Sequence, residues 1–200
     1  LHRAAVFGAL FWEPALRALA SGDHLPLIAA ARYLQGLETA PQTTDDLTRI
    51  AEHLELGGNL AQAVAYFHRA AEVAFHLKAP ATLRMLERAL ALMPTDYGAA
   101  ELYLTAGNCY GSASKIDKAL ELYADSLKLF QAQGNKLGRA RAVSGIGMNT
   151  RQKGNYRRAE KLLRDSRRLS QKPGDLSLKA EALAGLGGVF RGLGDYAAER

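Results

Sequence analysis

Cysteine, tryptophan and proline are scarce in this chain: one, one and six of them in 200 residues. The lone Cys109 forms neither an internal disulfide nor a zinc site by itself, and it points to a reducing, cytoplasmic setting. No apolar run approaches the roughly 20 residues of a membrane helix, and no charged-then-apolar leader opens the chain, so no membrane partner is expected. Alternation of apolar and polar residues over strand length is missing too, which argues against a sheet. What is present is 48% hydrophobic and 23% charged residues, a balance that excludes a disordered or collagen-like chain. The chain opens at Leu1 and stops at Arg200 inside a helical pattern, so a piece of a longer protein is expected.

The sequence repeats itself. A shift of 40 residues brings Gly107, Gly147 and Gly187 into register, each after an apolar or small residue, Ala106, Ile146 or Leu186. The same shift lays Ala119 over Ala159 and Gly154-Asn155-Tyr156 over Gly194-Asp195-Tyr196. Gly58-Asn59-Leu60 followed by Ala63 is an earlier copy outside that period. Recurrence at such a distance marks stacked supersecondary units rather than one globule. Within the unit from about 138 to 172, Ala142, Val143 and Ile146 follow helical spacing, as do Tyr156, Ala159, Leu163 and Ser166. Lys153-Gly154-Asn155 breaks the two helices apart. Small residues alternating with large ones are a packing device, because a lone hairpin of about 35 residues cannot bury its apolar face.

These residues resemble the tetratricopeptide repeat. Leu186-Gly187, Phe190 and Gly194-Asp195-Tyr196 match the first half of its pattern. Ala119, Tyr123 and Ser126 match the second half, as do Ala63, Phe67 and Ala70, while Leu86, Ala89 and Pro94 supply an ending. The resemblance implies an all-α, right-handed superhelical solenoid of antiparallel helix hairpins over residues 44–200, the last repeat truncated. The period of 40 exceeds the family's usual value of about 34, and is similar to the extended repeats of large bacterial signalling proteins. Residues 1–43 form a separate helical segment on this reading. There Arg3 to Gly8, Phe11-Trp12 and Ala15-Leu16 resemble the end of a winged-helix region after a signalling ATPase module. Ile50 to Gly58, Ala63-Val64 and Arg69-Ala70-Ala71 resemble the helices that follow it. In such proteins an adenylate or guanylate cyclase, a serine/threonine kinase or a transcription-activator domain is attached, and ATP binds in the upstream module.

Helices are expected at about 45–56, 60–77, 80–93, 97–110, 115–132, 138–152, 156–170 and 176–192, besides shorter ones within 1–20 and 24–37. Thr43 and Asp46 have the spacing of a capping box, and Pro94 and Pro173 end helices. Residues 38–44, with Pro41, read as a linker.

No catalytic constellation emerges. The glycine-rich Gly185-Leu186-Gly187-Gly188 lacks the lysine of a phosphate loop and falls in a helix, so close helix packing is its reading. None of the five histidines has the paired spacing of a helical zinc site, and His53 and His68 are placed on partly exposed faces. Cys109 reads as a small packed hydrophobe. No cofactor is assigned to this stretch of chain.

Charge is more informative. From Lys136 to Lys172 there are twelve basic residues against two acids, Glu160 and Asp165, so the +6 of the chain is concentrated there. Arg157, Lys161, Arg164 and Arg168 form one helical stripe, suited to an acidic protein, a neighbouring domain or nucleic acid. Interleaved aromatics are missing, which disfavours single-stranded nucleic acid. In the family, partners lie in a groove lined by the first helix of each unit. By register that groove would include Glu101, Leu104, Asn108, Arg141, Ser144, Met148, Arg151, Ala184 and Arg191. Arg141, Arg151 and Arg191 favour an acidic peptide, since guanidinium forks pair with carboxylates. Leu104 stands where repeats that clamp a C-terminal carboxylate have lysine. The expected role is a protein-binding regulatory scaffold in a larger signalling protein, with a fragment of a cyclase or kinase, or of a transcription regulator, as the competing readings.

Overall fold

A computed structural model describes residues 43–76, 81–93, 99–170 and 176–194. The segment 1–42, with the helices and winged-helix resemblance expected there, lies outside them, as do Pro94 and Pro173. Every regular element among the described residues is an α-helix: α1 Thr44–Leu56, α2 Leu60–His76, α3 Thr82–Leu92, α4 Ala100–Ser112, α5 Ile116–Ala132, α6 Lys136–Gln152, α7 Tyr156–Leu169 and α8 Leu176–Leu193. The chain divides into two compact units, Leu1–Tyr97 and Gly98–Arg200.

In the first unit α1 opens on the capping box read from the sequence. The Asp46 amide donates to Thr43 Oγ1 at 3.2 Å, and the Thr43 amide donates to the Asp46 carboxylate at 3.1 Å. The Thr43 hydroxyl, donating to Asp46 Oδ2 at 2.7 Å, and then the Thr43 amide hold the Asp46 carboxyl below its ordinary range. Ile50 and Leu54 of α1 close on Ala63 of α2, with Tyr66 against them. Each buried Leu or Ile contributes about 1.5–3 kcal/mol of transfer energy. α3 packs on α2 and is tied back to α1 by a bidentate bond from Arg88 to Glu55, at 2.9 and 2.7 Å.

His53 departs from expectation. It is 2% exposed rather than on a partly open face, because α1 is covered along an arc wider than its apolar residues mark. Burial, and then the nearby charge of Arg49, hold its pKa below the ordinary 6.5. The folded protein therefore refuses a proton that the unfolded chain accepts. Stability is unaffected above the ordinary value and falls as pH drops below it, until the depressed folded value is reached. The slope in that window reaches at most about 1.4 kcal/mol per pH unit. Thermal midpoints measured from pH 7.5 to 5 should fall less steeply in His53→Leu than in the parent.

In the second unit the 40-residue period becomes a set of repeated contacts. Ser126 Oγ donates to the Ala100 carbonyl at 2.8 Å, and one period on Ser166 Oγ donates to the Ala140 carbonyl at 2.8 Å. Both serines are fully buried, so these bonds fasten the second helix of each hairpin to the first. The larger contact is built on glycine. A Cβ on Gly107 of α4 would lie 2.8 Å from the Tyr123 ring of α5, and one on Gly145 of α6 would overlap the same ring from the next hairpin. One period later Leu163 of α7 stands in the same relation to Gly147 and Gly185, with distances of 2.9 Å to each. One large side chain thus sits between two helix backbones that have no side chain at the point of approach. As a result α6 packs against α4, α5, α7 and α8. The unit is a stack of antiparallel hairpins, the tetratricopeptide-like arrangement expected from the sequence.

Sharp turns join the two helices of each hairpin. After α6 the amide of Asn155 donates to the Thr150 carbonyl at 3.2 Å around Gly154, whose φ of +78° suits glycine. Asn155 then caps α7, its Oδ1 accepting from the Arg158 amide at 3.3 Å. One period earlier the left-handed position is held by Ser114, at φ +60°, where the same turn costs more.

Candidate functional site

Stacking places α4, α6 and α8 side by side in the second unit, and the residues expected to line a groove fall on them in columns 40 apart. The first column is Glu101, Arg141 and Glu181. Arg141 Nη1 is 3.0 Å from Glu101 Oε2, and Ser144 Oγ donates to Glu181 Oε1 at 3.2 Å. Arg141 is thus part of a −/+/− row, and its expected role as receiver of an acidic ligand is modified: its charge is offset within the chain. Half exposure of both partners keeps this pair weak, on the order of 0–1 kcal/mol.

Farther along the same face, Asn108 accepts from the Tyr123 hydroxyl at 2.8 Å. Burial first, and then the charge of Glu181, raise the Tyr123 phenol well above its ordinary value of 10. Asn108 is therefore half of an internal bond, its carbonyl oxygen taken by Tyr123. Met148 is half-buried against the cluster of Ala159, Leu163, Leu186 and Val189, and its sulfur lies against Gly185. Packing therefore accounts for Met148 and for the first glycine of Gly185-Leu186-Gly187-Gly188. Leu104 and Ser144 are buried, while Ala184 is exposed.

The positive end of the face lies at the last turn of α6 and α8. Arg151 lays its guanidinium over Gly188, where a Cβ would meet Nη1 at 2.7 Å, and Arg191 of α8 is exposed. Arg151 and Arg191 stand one period apart. The face is therefore graded, with carboxylates at Glu101 and Glu181 and cations at Arg151 and Arg191. Reading residues singly missed Glu181 and the Glu101–Arg141 pair. The signal was available in the 40-residue columns, which put opposite charges in neighbouring helices.

The basic stripe lies on α7, and all four of its residues are exposed. Arg164 pairs with Glu160 at 2.6 Å and Arg168 with Asp165 at 3.2 Å, both on their own helix. Cys109 is buried in α4, as a packed hydrophobe should be. Among the described residues no group of three His, Cys, Asp or Glu is placed to hold a metal ion. No described helix is long and apolar enough to cross a membrane.

Fold and face together define an all-α helical-repeat protein with a polar, charge-graded surface along its first helices. No protein-family model matches the chain, and no curated protein sequence matches it. Among solved structures it is similar to BtubC (BKLC) from P. vanneervenii, with 17% identity over 92% of this chain and 72% of that one, and a TM-score of 0.49. It is similar to the TPR-like repeats of a P. anserina protein described as a kinesin light chain, with 12% identity, coverage of 94% and 87%, and a TM-score of 0.39. For MamA the identity is 18%, the coverage 94% and 99%, and the TM-score 0.37.

Proposed function

We propose that the chain is a protein-binding scaffold whose α4, α6 and α8 face receives an extended segment of a partner or of a neighbouring domain. The observation that supports this is that α6 packs against both α4 and α8, so three first helices lie side by side with Glu101, Arg141, Glu181 and Arg191 exposed along them. The segment runs with its acidic part over Arg151 and Arg191 and its neutral or basic part over Glu101 and Glu181, following the graded charge. Binding acts by favouring one arrangement of the scaffold over another, through differential affinity. The larger setting we infer is the regulatory repeat region of a bacterial signal-transduction protein, in the cytoplasm. That part rests on the sequence resemblance of residues 3–16 and 50–71 to segments that follow a signalling ATPase.

A displayed library of random peptides selected against the chain tests the face. Enriched peptides should carry Asp or Glu at one end, and Arg191→Glu should weaken them by about tenfold, equivalent to about 1.4 kcal/mol. Selected peptides indifferent to Arg191→Glu and to Arg151→Glu would place binding elsewhere and end this reading.

A further inference from the structure

We propose that the second unit has another docking site, on a different surface: the cleft between α7 and α8 receives an acidic peptide segment that carries an apolar side chain. The cleft measures about 750 Å³ and is lined by Arg164, Arg167 and Arg168 of α7 with Lys179 and Leu183 of α8. Its size is that of a site for a few residues or a small ligand, the usual range being roughly 300–1,000 Å³. The structure splits the sequence stripe in two: Arg164 and Arg168 join the cleft lining, whereas Arg157 and Lys161 do not.

Four cations converge on one concavity. The helix dipole favours Arg167 and Arg168 in the last turn of α7, but it gives no reason for Arg164 and Lys179 to face the same space. On α7 itself the carboxylates of Glu160 and Asp165 are each held by an arginine of the same helix. Those arginines are 61% and 75% exposed, so the pairs are weak and an incoming carboxylate exchanges readily with them. Arg167 makes no ion pair among the described residues and offers its whole guanidinium fork.

The apolar lining decides the ligand class. Leu183 is 51% exposed and shares the cleft lining with the four cations, so a ligand seated there meets apolar surface beside the charge. A free phosphate or a nucleic-acid backbone has no use for that surface, and among the described residues no aromatic side chain lines the cleft to stack a base. A peptide with carboxylates flanking a leucine-like side chain satisfies both features at once. This site stands apart from the α4, α6 and α8 face, so either proposal survives the failure of the other.

The test uses the whole chain and a dye-labelled peptide of Glu and Leu residues, followed by fluorescence anisotropy at low salt. A peptide with Ser for Leu, a single-stranded oligonucleotide and inorganic phosphate as competitor form the other arms. Arg167→Glu, at an exposed position, should weaken the Glu/Leu peptide by about tenfold or more. Leu183→Ser should weaken it by about tenfold yet leave the Glu/Ser peptide unchanged, the low end of what one apolar group in a pocket is worth. Arg191→Glu should change neither, which separates this cleft from the other face. The proposal is overturned if the Glu/Leu peptide does not bind, or binds regardless of Arg167 and Leu183. It is equally overturned if the oligonucleotide binds more tightly, or if phosphate alone displaces the peptide at stoichiometric concentration.

Discussion

Gly145→Val should destabilise the second unit by about 2–4 kcal/mol, the upper part of what overpacking costs. In an open helix the same position would gain from losing glycine, by up to about 1 kcal/mol for alanine. The sign reverses here because a Cβ at 145 enters the Tyr123 ring, and that ring has nowhere to go. On its other side stands Gly107, where a Cβ would already be 2.8 Å from the ring, and its hydroxyl is tied to Asn108 at 2.8 Å. Relief requires α6 to move away from α5, which loosens the α4–α6 contact as well. Chemical denaturation followed by far-UV circular dichroism measures the loss, and a variant as stable as the parent would show that the helices do not meet there.

Leu163→Ala should cost about 3–5 kcal/mol, toward the high end for a leucine truncation. Leu163 is fully buried, against Ala159, Leu186 and Val189, with Met148, Tyr156 and Phe190 around them. The cost of such a truncation depends on how far the surroundings collapse into the void. Here two of the walls are Gly147 and Gly185, which have no side chains to swing inward. Collapse from those two sides needs backbone movement, so part of the cavity persists. For a unit of about 100 residues each kcal/mol lowers the thermal midpoint by roughly 4–8 °C. A loss below about 1 kcal/mol would mean that the hairpins do not depend on this contact.

The hairpin stack was readable in the sequence because its physics is periodic. Gly107 and Gly147, Ala119 and Ala159, and Ser126 and Ser166 recur 40 apart because they occupy equivalent points in successive hairpins. Less was readable where one residue answers to two neighbours. Gly145 and Gly185 are as critical as Gly107 and Gly147, yet they face the preceding hairpin, and a pattern drawn within one repeat does not single them out. His53 lies off the apolar stripe of α1, so helical periodicity placed it toward solvent, while tertiary packing covers it. The groove suffered from the same limitation. Arg141 viewed alone is a cation awaiting an anion, and only the neighbouring helix supplies Glu101. The division at Tyr97 falls next to Pro94-Thr95-Asp96, a stretch whose helix-ending chemistry is the same whether or not a unit ends there.

The central claim is that adjacent hairpins hold one another up through a large side chain clasped between two glycines. A double-mutant cycle on Gly145→Val and Tyr123→Ala measures that clasp directly. If the ring is what valine strikes, the valine penalty should shrink to near zero once the ring is gone, giving a coupling of at least about 1.5 kcal/mol. Equal penalties with and without the ring would contradict the claim, because the two helices would then be meeting through something else.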